Sequence, residues 1–284
     1  MKIGRTCAAG VPAEVTRMAV DRWRALPRCG TAALIPLVFL SVTVMGCAYR
    51  RVGRYHRAIL TPAVSGSAPV IQDDHRLAIS PQRVRLTREY FAKHHRDLAA
   101  ILPVEDHPAS IRFEPRLVVV HYTAIPTLAR TLATFAPETL DPQRGIARQS
   151  ALNVGIQFIV DRDGTIYRSY PETVMSRHVI GLNHVAIGIE NVGDADLGAR
   201  EKHGVEAPLT RAQLDANLFL IRYLAGKYPS IRYVIGHSEY RDLEDELHPA
   251  HHLFHEDVAT YRTEKVDPGR RFLRQLRAAL SRTK

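Results

Sequence analysis

Three features of the sequence predict an α/β fold, a single domain with a central mixed β-sheet flanked by helices. Short apolar runs with strand character alternate with segments of helical period. Two of these runs, Ile156-Gln157-Phe158-Ile159-Val160 and Thr165-Ile166-Tyr167-Arg168-Ser169-Tyr170, flank Asp161-Arg162-Asp163-Gly164. The Asp-Gly pair signals a hairpin, hence an antiparallel step in an otherwise alternating pattern. The runs Leu117-Val118-Val119-Val120 and Val185-Ala186-Ile187-Gly188-Ile189 are apolar throughout, as strands covered on both faces must be.

Taken in order, the chain opens with a basic stretch, Arg22 to Arg28, and an apolar run from Ala32 that ends in Val44-Met45-Gly46-Cys47. A positive region before a short apolar one is signal-peptide grammar. The run is shorter than the ~20 residues that span a bilayer, and Pro36 interrupts it. Its ending resembles a bacterial lipoprotein signal, which implies cleavage after residues 1–46 and lipidation of Cys47. An uncleaved anchor is the alternative, and Met18 is an alternative start. Ala48, rather than Asp, after the cysteine points to an outer-membrane address facing the periplasm, in the cell envelope.

Residues 47–80 are expected to be a flexible tether, basic and then rich in Pro, Gly and Ser. An N-terminal helical extension is expected over 81–110. Within it, Tyr90, Phe91, Leu98, Ile101 and Leu102 predict a helix over 87–102 with Thr87 as its cap. His94 and His95 are expected at the surface or in packing, not as ligands. The domain proper spans 111–284. Leu128, Leu132 and Phe135 have helical spacing, and residues 137–150 read as a loop near the site. The acidic turn at 161–164 lacks the spacing of a calcium loop. Residues 193–208 read as a polar loop. Thr210 and Gln213 then have capping-box spacing, with a helix running to Gly226.

All three cysteines, Cys7, Cys29 and Cys47, lie ahead of the folded body, which excludes a disulfide framework or a cysteine metal site there. The formal net charge is +10, and +6 once residues 1–46 are set aside. That surplus fits an anionic wall polymer or a membrane surface. No DNA or RNA motif accompanies it, so nucleic acid is not an expected partner. A monomer is expected.

The chemistry concentrates at strand ends. His121 follows the run Leu117–Val120, and Gly236-His237 follows Tyr233-Val234-Ile235. Asp267 precedes Pro268, which biases it to extended backbone, and Pro268 can open the helix of Phe272, Leu273, Leu276 and Leu280. Asp267 is thus either that helix's N-cap or a group aimed into a site. Two histidines and one aspartate are adequate zinc ligands that leave a fourth position for water.

Four blocks in order carry a resemblance over residues 111–280: Val119-Val120-His121-Tyr122-Thr123; Phe158 to Tyr167; Arg177-His178 with Asn183 and Ile187-Gly188-Ile189-Glu190; and Gly236-His237 with Lys265-Val266-Asp267-Pro268-Gly269. Together they resemble the zinc-dependent N-acetylmuramoyl-L-alanine amidases, the group that includes phage lysozyme-type amidases and peptidoglycan recognition proteins. The resemblance implies one zinc ion per chain on His121, His237 and Asp267, with Glu190 as general base and Lys265 as an oxyanion donor. His178, Asn183 and Tyr122 fall at cleft positions that serve substrate contact or loop geometry. It further implies hydrolysis of the amide between N-acetylmuramic acid and L-alanine in peptidoglycan or muropeptides. A non-catalytic peptidoglycan receptor and a zinc peptidase acting on the stem peptide are the alternatives.

The chain also departs from that pattern. Residues 238–264 form a long insert between His237 and Lys265, rich in acidic residues and histidine. His251 and His255, at helical i,i+4 spacing, are a candidate second metal pair if helical; an exposed polar insert explains them equally. Gly155-Ile156-Gln157-Phe158 stands where many relatives place a Tyr or His, so no ancillary tyrosine is assigned.

Overall fold

The computed structural model describes residues 68–98, 111–194 and 209–281. Its six strands are β1 (Ile71–Gln72), β2 (Leu117–Tyr122), β3 (Phe158–Val160), β4 (Ile166–Arg168), β5 (Ala186–Asn191) and β6 (Tyr233–Gly236). They form one sheet in the order β1-β4-β3-β5-β2-β6. Among the described residues, four α-helices accompany it: α1 (Pro81–His94), α2 (Leu128–Phe135), α3 (Arg211–Lys227) and α4 (Arg270–Leu280). The β3–β4 hairpin is the one antiparallel pairing of the sheet, so the mixed α/β architecture matches the expectation. The expected signal and Cys47 lie outside the described residues, as does most of the 193–208 loop.

Residues alternate across the strands as the pleat requires. Phe158 and Val160 join the main core, while Ile159 faces a second cluster with Phe135, Ile156 and Val192, against which Leu128 and Leu132 pack. Val118 and Val119 are wholly buried on neighbouring positions of β2, as an interior strand needs. On α3, Thr210 and Gln213 form the reciprocal capping box that their spacing predicts.

The N-terminal boundaries need correction. The chain joins the sheet at residue 71, where Ile71 and Gln72 pair in parallel with Ile166 and Tyr167, so the tether ends before residue 80. The helix starts at Pro81 with Ser80 as its cap, not at Thr87. Ser-Pro is the stronger start signal, because proline's missing N–H is one that a helix start leaves unpaired anyway. Thr87 lies inside the helix and donates its hydroxyl to Arg83 O at 2.8 Å. Nor is α1 an appendage: Leu86, Tyr90 and Phe91 belong to the main core. His94 and His95 are fully buried, so of the two places expected for them the structure gives the interior.

The insert is likewise not an exposed polar loop. Tyr240, Leu243, Ala250, Leu253 and Tyr261 are buried in the main core. At the C-terminal helix, Gly269 is the N-cap and Arg270 the first helical residue, so Pro268 does not open it.

Arg83 fastens α1 to α2. Its buried guanidinium places one terminal nitrogen 3.0–3.2 Å from the carbonyl oxygens of Phe135, Ala136 and Pro137, at the α2 C-terminus. Those carbonyls lack helical partners. Arg83→Met keeps the apolar stem and strands three acceptors. We expect a loss of about 2–4 kcal/mol in urea unfolding. An unchanged midpoint would show that α1 contributes nothing through this contact.

Candidate active site

Strand register builds the centre. Val120 of β2 lies opposite Gly236 of β6, and His121 lies opposite Glu190 of β5. All three strands run parallel, so their C-terminal ends share one edge, the edge at which open α/β sheets place ligands. His121 and Glu190 reach that edge on neighbouring strands, and His237 follows directly from β6. A side chain at Gly236 would not fit: a Cβ there would stand 2.4 Å from Leu273 Cδ1 and 2.9 Å from Pro268 Cδ. This close passage brings Asp267 to the site, and Ser238 N donates to Asp267 O at 2.9 Å. Asp267 is therefore aimed into the site and is not the helix cap.

Three polar atoms converge here. His121 Nδ1 and His237 Nδ1 are 2.9 Å apart, and Asp267 Oδ2 is 3.1 Å from His237 Nδ1 and 3.4 Å from His121 Nδ1. The three side chains are 3%, 10% and 13% exposed. Burial lowers the His121 imidazole to about 4, assisted by the nearby His237 and opposed by Asp267. Burial pushes the Asp267 carboxyl up, but His237 and His121 outweigh it and hold it well below the usual carboxylate range. A neutral His121 and an ionised Asp267 present the lone pairs that a metal needs. One proton can bridge only one pair of these atoms, whereas one divalent cation satisfies all three. Zinc bonds of about 2.1 Å at tetrahedral angles separate ligand atoms by about 3.4 Å, close to the distances found. The His-His-Asp set fits a metal ion.

The carbonyl of Ala186 sets the tautomers. It can only accept, so His178 carries its proton on Nε2, 3.3 Å away. His178 Nδ1 then accepts from His121 Nε2 at 3.1 Å, leaving His121 Nδ1 with its lone pair toward the centre. Burial, then the neighbouring His121, holds the His178 imidazole well below its ordinary value, so it stays neutral. His178 thus orients a candidate ligand. Asn183 is fully buried: its Oδ1 accepts from the backbone N–H groups of His178 and Val179, and its Nδ2 donates to Tyr90 Oη. Asn183 thus supports the loop that carries His178, and it also lines the cleft. The Asn191 amide donates to His121 O at 3.0 Å, securing the end of β2.

Glu190 and Lys265 line the same cleft, of about 270 Å³, with Tyr122 and Thr123. Glu190 Oε2 is buried and has no hydrogen-bond partner. Burial, then the Asp267 charge, raises the Glu190 carboxyl well above its ordinary value, while Lys265 pulls it down. A buried carboxylate of raised basicity beside a metal set suits a general base.

The sequence reading missed other wall residues: Tyr90, Arg144, Tyr261 and Thr263 also line the cleft. Tyr90 was legible only as part of a helix face, and Tyr261 and Thr263 come from the insert. Arg177 gathers this wall, donating to the carbonyls of Ile146, Ser150 and Leu152 and to Tyr261 Oη, with Tyr90 under its guanidinium. The pair His251 and His255 does not form a site: the 3₁₀ turn ends at Leu253, and His251 Nδ1 bonds Leu243 O at 2.8 Å.

Residues 112–270, more than half of the chain, match the family described as N-acetylmuramoyl-L-alanine amidase. The chain belongs to this family. It is 36% identical to the endolysin of Escherichia phage T7 over 80 residues, 28% of this chain and 50% of that one. It is 31% identical to the endolysin of Klebsiella phage KP32 over 117 residues, 41% of this chain and 71% of that one. The chain thus spans about half the length of the T7 relative. Among solved structures, an N-acetylmuramoyl-L-alanine amidase, LysC, from Clostridium intestinale shares 26% identity, with 50% of this chain and 83% of that chain covered and a TM-score of 0.32.

Gly188 of β5 lies beneath His178. A Cβ there would stand 2.1 Å from Ile156 Cδ1 and 2.9 Å from His178 Nδ1. Gly188→Ala must displace a packed isoleucine and the imidazole that orients His121. We expect a loss of about 1–3 kcal/mol in unfolding free energy, the usual cost of overpacking. Wild-type stability in denaturant titration would show that the pocket under His178 has slack.

Proposed function

We propose that this chain hydrolyses the amide between N-acetylmuramic acid and L-alanine in peptidoglycan or in released muropeptides. The convergence of His121, His237 and Asp267 beside Glu190, within the stretch that matches the amidase family, carries this reading. Zinc held by these three ligands would supply a water of lowered pKa and polarisation of the amide carbonyl. Glu190 takes the water proton and returns it to the departing alanine nitrogen, a task its buried, raised carboxyl suits. Lys265, from the segment that carries Asp267, stabilises charge developing on the carbonyl oxygen. His178 keeps His121 oriented throughout. A receptor without catalysis is not favoured, because the full set of ligands, base and lysine is present.

The apolar run ending in Gly46-Cys47 supports a lipid-anchored chain at the outer membrane, facing the periplasm, with murein as its partner. Cys47→Ser should release the protein from membrane fractions. Equal fractionation of an unprocessed wild type and variant would identify an uncleaved anchor instead.

Glu190→Gln keeps the shape of the side chain and removes its basicity. We expect turnover on muropeptides to fall about 10²–10⁴-fold with melting temperature and zinc content retained. Lys265→Met should cost about 10²–10³-fold. Mass spectrometry of the digests reads release of stem peptides that begin with free L-alanine. Near-wild-type cleavage by both variants would remove the catalytic assignment, and cleavage inside the stem would favour a peptidase.

A further inference from the structure

Part of the insert, together with the turn after α1, holds a second group of metal-type donors that shares no residue with the catalytic set. Among the described residues, Asp97, His255 and Asp257 offer ligand atoms that all lie within 4.8 Å of one another. They come from two parts of the chain. Asp97 sits on the short turn after α1, and His255 and Asp257 sit in the segment that precedes Tyr261.

The group is held in place by backbone. Asp257 N donates to His94 O at 3.0 Å, and Arg96 N donates to Asp257 Oδ2 at 2.5 Å. This leaves Asp257 Oδ1 toward His255 Nε2, at 3.3 Å. Yet His255 Nε2 is a buried atom that makes no hydrogen bond. This His–Asp contact has the length of an ion pair and is also near the separation, about 3.4 Å, of two ligands on one tetrahedral ion. Buried His95 and His184 pack beside His255, with ring centroids 6.1 and 6.4 Å from its own. The unpaired Nε2 of His255 calls for a partner.

We propose that Asp97, His255 and Asp257 bind a second divalent cation that clamps the insert to the end of α1. One imidazole with two carboxylates neutralises the ion's charge. The nitrogen donor favours zinc or manganese over calcium and magnesium, which prefer all-oxygen sets. Asp97 is exposed, so water can fill the remaining positions. The clamp bears on the cleft, because the segment it fixes continues to Tyr261 and Thr263 on the cleft wall. His255 N also donates to Gly181 O at 2.9 Å, on the loop that presents His178.

The test counts metal. The purified chain is dialysed against micromolar zinc and its bound metal measured, alongside Asp97→Asn, His121→Ala and the double variant. Asp97 is exposed, so its variant should fold as wild type. We expect two zinc ions in wild type, one in each single variant and none in the double. Zinc should also slow proteolysis within the insert in wild type and in His121→Ala, but not in Asp97→Asn. A wild type with one zinc that is lost in His121→Ala overturns the proposal while leaving the catalytic centre standing. Two zinc ions retained in Asp97→Asn overturn it as well. A single zinc lost in Asp97→Asn but kept in His121→Ala supports the second site and removes the first.

Discussion

The parallel register of β5, β2 and β6 is the constraint on which the site depends. Because His121 faces Glu190 and Val120 faces Gly236, the C-terminal residues of three strands arrive at one edge together. A slip of one residue would turn His121 into the core and bring an apolar side chain to the edge. β2 is apolar on both faces, so what resists such a slip is its polar end: the shift would carry the His121 imidazole into an apolar layer.

That centre gathers charge that water would otherwise solvate. Burial alone would protonate both Asp267 and Glu190, yet they behave differently. Asp267 touches two imidazoles and keeps its charge, while Glu190 has an unpaired buried oxygen and only Lys265 to oppose its neighbour. Two carboxyls at one edge thus acquire opposite tendencies, one suited to binding a cation and the other to taking a proton. The difference lies in hydrogen-bonded contact and not in residue type.

The walls of the cleft are held by buried polar groups with protein partners. Arg177 binds carbonyls of the 145–152 segment and the hydroxyl of Tyr261, and Asn183 binds two amides and Tyr90. The two terminal nitrogens of Arg177 and both polar atoms of the Asn183 side chain have partners that offset their desolvation. Through them, α1 and the insert become parts of the candidate site, although both lie apart from the strands that carry the candidate ligands His121 and His237. The second donor group joins these same two parts of the chain.

Local sequence signals were enough to find the element types and the candidate site residues. Apolar runs, the Asp-Gly turn and the Thr210 capping box are local signals, and the structure contains each of them. His121, His237 and Asp267 were legible because each sits beside a local marker: a strand end, a glycine or a proline. Tertiary structure decided what local signals do not encode. Whether Asp267 caps a helix or faces the site depends on how closely Gly236 lets α4 and Pro268 approach. Whether residues 71–94 are tether and extension or sheet edge and core depends on surfaces supplied by distant residues. The insert reads as polar because its charged residues outnumber its apolar ones, yet a few buried side chains suffice to fold it inward. The tautomer of His178 was equally hidden, because a carbonyl eight residues away in sequence sets it only once β5 is in place.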